Sequence, residues 1–194
     1  MGTQRRARSL AALLLSAGSV LLGGCGGGSS SYVHPSIDFG YMKRATVLPF
    51  RNLTSDELAD ERIQSIFLME LLEQDILELV DAREAQAALV AMDVRPGTEL
   101  TPEQAVELGG RLKVDALFTG TVEEYGINRA DRSRSSEVTL VLEMVETQTG
   151  VVAWRSQVHR TGSSLSQRLF GGSPQDLYTV SRTAVTDALR TLLE

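Results

Sequence analysis

Between Glu137 and Thr147, Val138, Leu140, Leu142 and Met144 occupy every second position, with Thr139, Val141, Glu143 and Val145 between them. That period of two belongs to a β-strand, whose successive side chains point to opposite faces of a sheet. Thr149-Gly150 then supplies a turn, and Val151–His159 returns as the antiparallel partner of a hairpin. A hairpin does not stand alone in water, and its apolar face needs both further strands and a covering layer. The rest of the chain has to provide them.

Upstream, Ala45–Phe50 is apolar and β-branched, with Pro49 marking its end or a sheet edge. Thr54 and Glu57 have the spacing of a capping box and predict a helix running to about Gln74. Leu58, Ile63, Ile66, Phe67, Met69 and Leu71 form its broad apolar face. Ile76–Val80 reads as a second strand, and Ala82–Met92 as a short helix stopped by Pro96-Gly97. Thr101-Pro102-Glu103-Gln104 combines a capping Thr, Pro at the first helical position and Gln at the third, so a helix is predicted to about Leu112.

Val114–Tyr125 is the next strand, with Val114, Ala116, Phe118 and Val122 on one face and Gly120 marking a close approach or a bulge. After the hairpin, Ser173-Pro174-Gln175-Asp176 caps a terminal helix to about Leu193, striped by Leu177, Val180, Ala184, Ala188 and Leu192. The order β-α-β-α-α-β-β-β-α predicts an α/β fold. It is a single domain with a mixed sheet of about five strands, an antiparallel meander in its second half, flanked by helices.

The N-terminus is of another kind. Arg5, Arg6 and Arg8 precede the apolar run Leu10–Leu22, and small residues follow, which is the layout of a secretory signal peptide. The run is short for a transmembrane helix. Residues Leu22-Gly23-Gly24-Cys25 resemble the lipobox of bacterial lipoproteins, with Gly23 standing where Ala or Ser is usual. That resemblance implies removal of residues 1–24 and lipidation (palmitate among the acyl chains) of Cys25, the only cysteine in the chain. A lone Cys forms no disulfide within one molecule. Gly26 follows it in place of Asp, which by the same resemblance implies the outer membrane.

Several acyl chains exceed the two signals that stable anchoring needs. Residues 25–40 are expected to form the lipidated Cys and a flexible Gly/Ser tether, with Gly26–Phe39 spanning about 20 Å as a random coil and about 45–50 Å when stretched. Residues 41–194 form the periplasmic domain. Without residues 1–24 the chain keeps 16 basic against 25 acidic side chains, a net of −9. That charge excludes the basic face of a nucleic-acid binder.

The search for catalytic chemistry returns little. The two histidines, His34 in the tether and His159 near a strand end, have no metal-ligand spacing along the chain. Gly109-Gly110-Arg111 lies within a helix and matches neither phosphate-binding pattern, and no G-x-S-x-G elbow occurs. No catalytic residue, cofactor, metal or small-molecule substrate is expected, and the chain reads as a non-enzyme. Two segments are candidate partner surfaces. Gly126–Ser136 gathers Arg129, Arg132 and Arg134 on an acidic body, suited to an anionic partner or simply to a solvated hairpin tip. Thr161–Gly172 carries Leu165, Leu169 and Phe170 in a polar stretch, suited to docking on a neighbour or to packing beneath the last helix.

Three stretches carry a family resemblance: Ala45-Thr-Val-Leu-Pro-Phe-Arg-Asn52, Val114-Asp115-Ala-Leu-Phe-Thr-Gly120 and Thr149-Gly-Val-Val-Ala-Trp154. Together, behind a lipobox, they resemble a group of periplasmic lipoproteins and domains. This group includes the curli secretion channel lipoprotein CsgG, the synthase activator LpoB, the Pel export lipoprotein and the N-terminal domain of TolB. The resemblance implies an α/β sandwich, Leu48, Phe50 and Trp154 as core, and a non-enzymatic scaffold or accessory in envelope assembly or export. Its partners would be envelope proteins or a second copy of itself. The alternative is a regulator that activates a cell-wall synthase, which a short tether disfavours on reach. A secretion channel is disfavoured because the one candidate hairpin is needed for the sheet.

Overall fold

The computed structural model describes residues 28–128, 135–163, 173 and 175–193. Among them seven strands form one mixed sheet: β1 (Ser29–Val33), β2 (Arg44–Val47), β3 (Arg51–Asn52), β4 (Glu78–Val80), β5 (Ala116–Asn128), β6 (Ser135–Glu146) and β7 (Val152–Thr161). Four helices accompany it: α1 (Ala59–Gln74), α2 (Ala82–Ala91), α3 (Pro102–Leu112) and α4 (Leu177–Leu193). The strand order is β1-β7-β6-β5-β2-β4, with β3 pairing β5. Pairs within the meander β5-β6-β7 and β1–β7 are antiparallel; β2–β4, β2–β5 and β3–β5 are parallel. The α/β fold with an antiparallel second half is the predicted one.

Alternation along β6 sorts the two faces. Val138, Leu140, Leu142 and Met144 join Phe118, Val122 and Trp154 in the main core, closed by Ile63, Phe67 and Leu71 of α1 and by Val180, Ala184, Val185 and Ala188 of α4. Leu48, Phe50 and Trp154 are buried as expected, and the Trp154 indole N–H donates to the Thr191 hydroxyl at 3.0 Å. Buried Glu70 of α1 accepts from Arg182 and Thr186 of α4, tying the two helices together. On the opposite face, α2 and α3 cover only the β2–β5 side, packing Ala85, Leu89, Leu108 and Leu112 onto Leu48, Val114 and Leu117.

Two glycines are dictated by close approaches. A Cβ on Gly120 would lie 2.8 Å from the Phe50 ring and 2.9 Å from a Leu142 methyl. Gly150 has φ +74° and would drive a Cβ to 2.2 Å from the Pro102 carbonyl oxygen. The capping box on α3 forms as read: Gln104 N–H donates to the Thr101 hydroxyl, and Thr101 N–H to the Gln104 side chain.

Several expectations are corrected. The Thr54–Glu57 capping box does not form. Asn52 Oδ1 instead accepts from the Thr54 N–H and hydroxyl, and Asp56 Oδ1 from the Leu58 N–H, so α1 starts only at Ala59. This turn leaves Leu58 exposed, and Met69 faces solvent as well. Val114 precedes β5 and packs in the second cluster, away from Ala116, Phe118 and Val122. The second strand begins at Glu78, leaving Ile76 exposed. Finally, residues 29–33 are not irregular tether: they form β1, antiparallel to β7 with Ser29 opposite Val158 and Val33 opposite Trp154.

Candidate functional site

Helices leave one region of the sheet bare: the face of β1, β7, β6 and the far half of β5 that points away from α1 and α4. Because side chains alternate, this face carries Arg155, Gln157 and His159 from β7 and Thr139, Val141 and Glu143 from β6. The Arg155 guanidinium bonds Glu143, and Gln157 Nε2 donates to Glu123 at 3.3 Å. Beside them runs a groove of about 510 Å³ lined by Leu48, Thr121, Val141, Val145, Gly150 and Arg155 among others. Its lining holds no cysteine, histidine or lysine.

β1 borders this face. The His159 N–H donates to the Gly28 carbonyl at 2.9 Å, and the His34 N–H to that of Ala153 at 2.8 Å. Antiparallel alternation then turns Gly28, Ser30, Tyr32 and His34 toward β7 in hydrogen bonding, while the N–H groups of Ser29, Ser31 and Val33 point outward. The outer edge of β1 carries no other strand among the described residues, and its five side chains, Ser-Ser-Ser-Tyr-Val, are exposed and uncharged.

Cys25 lies outside the described residues, as do Arg129, Arg132, Arg134, Leu165, Leu169 and Phe170. The strand pairing nevertheless fixes which end of the sheet their neighbours occupy. Asn128 and Ser135 pair with each other four positions beyond the row on which Gly28, His159, Thr139 and Glu124 meet. The N-terminal entry, the β5–β6 connection and the exit of β7 are all at this one end.

That row also brings together residues with no motif in the chain. A β-bulge between Val122 and Glu124 sets Glu124, rather than Glu123, opposite Thr139. The Thr139 hydroxyl donates to Glu124 Oε2 and lies 2.9 Å from His159 Nδ1. His159 Nε2 is 3.6 Å from Glu137 Oε1, and Asn128 Nδ2 donates to Glu137 Oε2 at 2.7 Å. Glu124, Glu137 and His159 each present a donor atom within 4.8 Å of the others. Spacings of 13 and 22 residues resemble no ligand signature, so only the pairing register reveals the group.

At the opposite end, Glu146 is buried where β6 stops. Burial works to raise its pKa, but bonds from the Thr149 and Tyr41 hydroxyls and from backbone N–H groups outweigh that and hold it below the usual carboxylate range. Tyr41, half-buried and bonded to Glu146, is pushed upward, burial being the larger cause. The pair pins the turn before β2 to the β6–β7 hairpin.

A family model described as peptidoglycan-synthase activator LpoB matches residues 40–159, well over half of the chain. The chain belongs to the LpoB family. The match runs from just before β2 into β7 and takes in the groove and the β5–β7 part of the bare face, leaving β1 outside. Among solved structures, the fold is similar to that of the PelC dodecamer from Paraburkholderia phytofirmans, at 19% identity and TM-score 0.59 over 86% of this chain and 96% of that one. It is also similar to lipoprotein GNA1162 from Neisseria meningitidis, at 15% identity and TM-score 0.54 over 77% and 99% of the two chains. A third is the hypothetical protein CT253 from Chlamydia trachomatis, at 12% identity and TM-score 0.54 over 78% and 95%. At these identities the likeness is one of fold. No curated protein matches the chain.

Proposed function

We propose that this LpoB-family chain is a lipoprotein, lipidated on Cys25 after loss of residues 1–24 and held at the periplasmic face of the outer membrane. There it acts as a non-enzymatic accessory in envelope assembly or export, through contacts with envelope proteins or with further copies of itself. The observation that carries this reading is the docking of β1. Only Gly26, Gly27 and Gly28 separate Cys25 from a strand already paired with β7, a reach of about 14 Å at most at 3.3–3.6 Å per residue. A domain held so closely works on partners at the membrane surface. The bare sheet face with its paired charges and the uncharged outer edge of β1 are surfaces suited to such contacts. The oligomeric state of PelC, whose fold is similar, supports self-association.

Sedimentation of the soluble domain, together with co-purification after crosslinking in the envelope, tests the proposal. An oligomer or a crosslinked envelope protein is expected; a strictly monomeric domain that captures nothing overturns it.

The family match favours a second reading, activation of a peptidoglycan synthase. It requires a synthase that reaches a domain whose β1 end lies within about 14 Å of the outer membrane. Glycan polymerisation measured with and without the domain separates the two: stimulation supports activation, and unchanged rates eliminate it.

A further inference from the structure

We propose that Glu124, Glu137 and His159 form a binding site for a divalent transition-metal cation, with Zn²⁺ the best fit, which staples β5, β6 and β7 together at the end where the N-terminal strand enters. The argument starts from one proton. The Thr139 hydroxyl has a single hydrogen, and it goes to the Glu124 carboxylate, which has none to give. At His159 Nδ1, 2.9 Å away, the same oxygen must therefore accept, so the imidazole carries its proton on Nδ1. That leaves Nε2 as the nitrogen turned toward Glu137, whose Oε1 it faces across 3.6 Å, too long for a direct hydrogen bond.

The separation does suit a metal. Two ligand atoms bound at about 2.0–2.2 Å to one tetrahedral ion lie about 3.4 Å apart. Glu124 is the most exposed of the three, its side chain 57% accessible against 24% for Glu137 and 40% for His159. Its Oε2 now sits on the other side of the ring, 3.6 Å from Nδ1, and rotation of the exposed side chain is what brings a carboxylate oxygen round to Nε2; one ligand atom from each residue already lies within 4.8 Å of the others. The supporting shell is built as metal sites build it. Thr139 holds the non-ligating nitrogen of His159, and Asn128 holds the second oxygen of Glu137, fixing the orientation of each ligand. An imidazole with two carboxylates favours first-row transition ions over Mg²⁺ and Ca²⁺, which prefer oxygen alone. The bulge at Val122/Glu124 acquires a purpose too, because a regular strand would present Glu123 to this row in place of Glu124.

The test uses the untagged protein in detergent, titrated with Zn²⁺ by calorimetry and with Co²⁺ by visible absorption. Thermal unfolding checks that each variant is folded. One ion per chain is expected. His159→Gln and Glu137→Gln should each weaken Zn²⁺ binding at least tenfold, and Thr139→Val several-fold, while His34→Gln leaves it unchanged. The chain has two histidines, so broadening of one imidazole NMR signal by Co²⁺ identifies the ligand directly. Binding that is equal in the unaltered protein and in folded His159→Gln overturns the proposal, as does the absence of saturable binding up to millimolar Zn²⁺. Neither outcome depends on the lipid anchor or on any partner, so this site and the proposed function stand or fall separately.

Discussion

At the scale of single residues, neighbouring glycines show how little composition says without a structure. Gly109 and Gly110 are adjacent in α3, and in sequence both are merely weak helix formers. A Cβ on Gly109 would sit 2.3 Å from Thr147 Cβ, whereas one on Gly110 meets nothing within 4 Å. Gly109→Ala is therefore expected to lower stability by about 1–3 kcal/mol through overpacking. Gly110→Ala should raise it by about 0.5–1 kcal/mol through helix propensity; chemical denaturation of the two variants checks both signs. Glu146 yields a pH dependence. Its pKa is lowered in the folded state from the usual 4.5, so its contribution to stability is complete above that value and disappears as pH falls through the folded pKa. The stability gap between the native protein and Glu146→Gln, followed by thermal melts, should be widest near neutrality and close on acidification. Gly120 and Gly150 were legible from the chain because alternation and turn speak locally, and Trp154 through the family resemblance of the stretch that ends on it. The partners of Glu146 and of His159 were not, since each is recruited by strand register from distant segments.

Among elements, the ones read correctly carry their own start and stop signals. α3 is the clearest case, its capping box spelled out by Thr101 and Gln104, and Thr101→Ala should cost about 1 kcal/mol in denaturant midpoint measurements. Thr54 and Glu57 display the same spacing, yet Asn52 and Asp56 compete for the same backbone donors and make a turn in place of a cap. A cap motif thus predicts a helix only where no stronger side-chain acceptor lies within a few residues. β1 escaped notice for a different reason. Ser29–Val33 has neither alternation nor burial to betray it, and its place is earned by hydrogen bonds to β7 alone. Ser31→Pro exploits this. It removes an outward N–H and leaves the β7 ladder intact, as edge strands tolerate. If copies associate through this edge, sedimentation should shift toward monomer without loss of thermal stability; an unchanged oligomer would locate the contact elsewhere.

For the molecule as a whole, periodicity was enough to predict one mixed sheet with an antiparallel meander under helices, though not its strand order, because burial is written into every second or every third to fourth residue. The bare face followed only from topology, since nothing in β6 or β7 records how far α2 and α3 extend. Anchoring is the remaining test at this scale. Cys25→Ala should abolish palmitate incorporation and move the protein from the membrane to the soluble fraction, while leaving its circular dichroism spectrum unchanged. The closeness of β1 to Cys25 also constrains symmetry. Chains rooted in one bilayer by so short a stem all stand the same way up, so no two-fold axis lying in the membrane plane can relate them. If Cys25 carries the lipid, any closed assembly turns instead about the bilayer normal, either as a two-fold pair that shares one patch or as a ring in which each copy offers a different flank to its neighbour on either side.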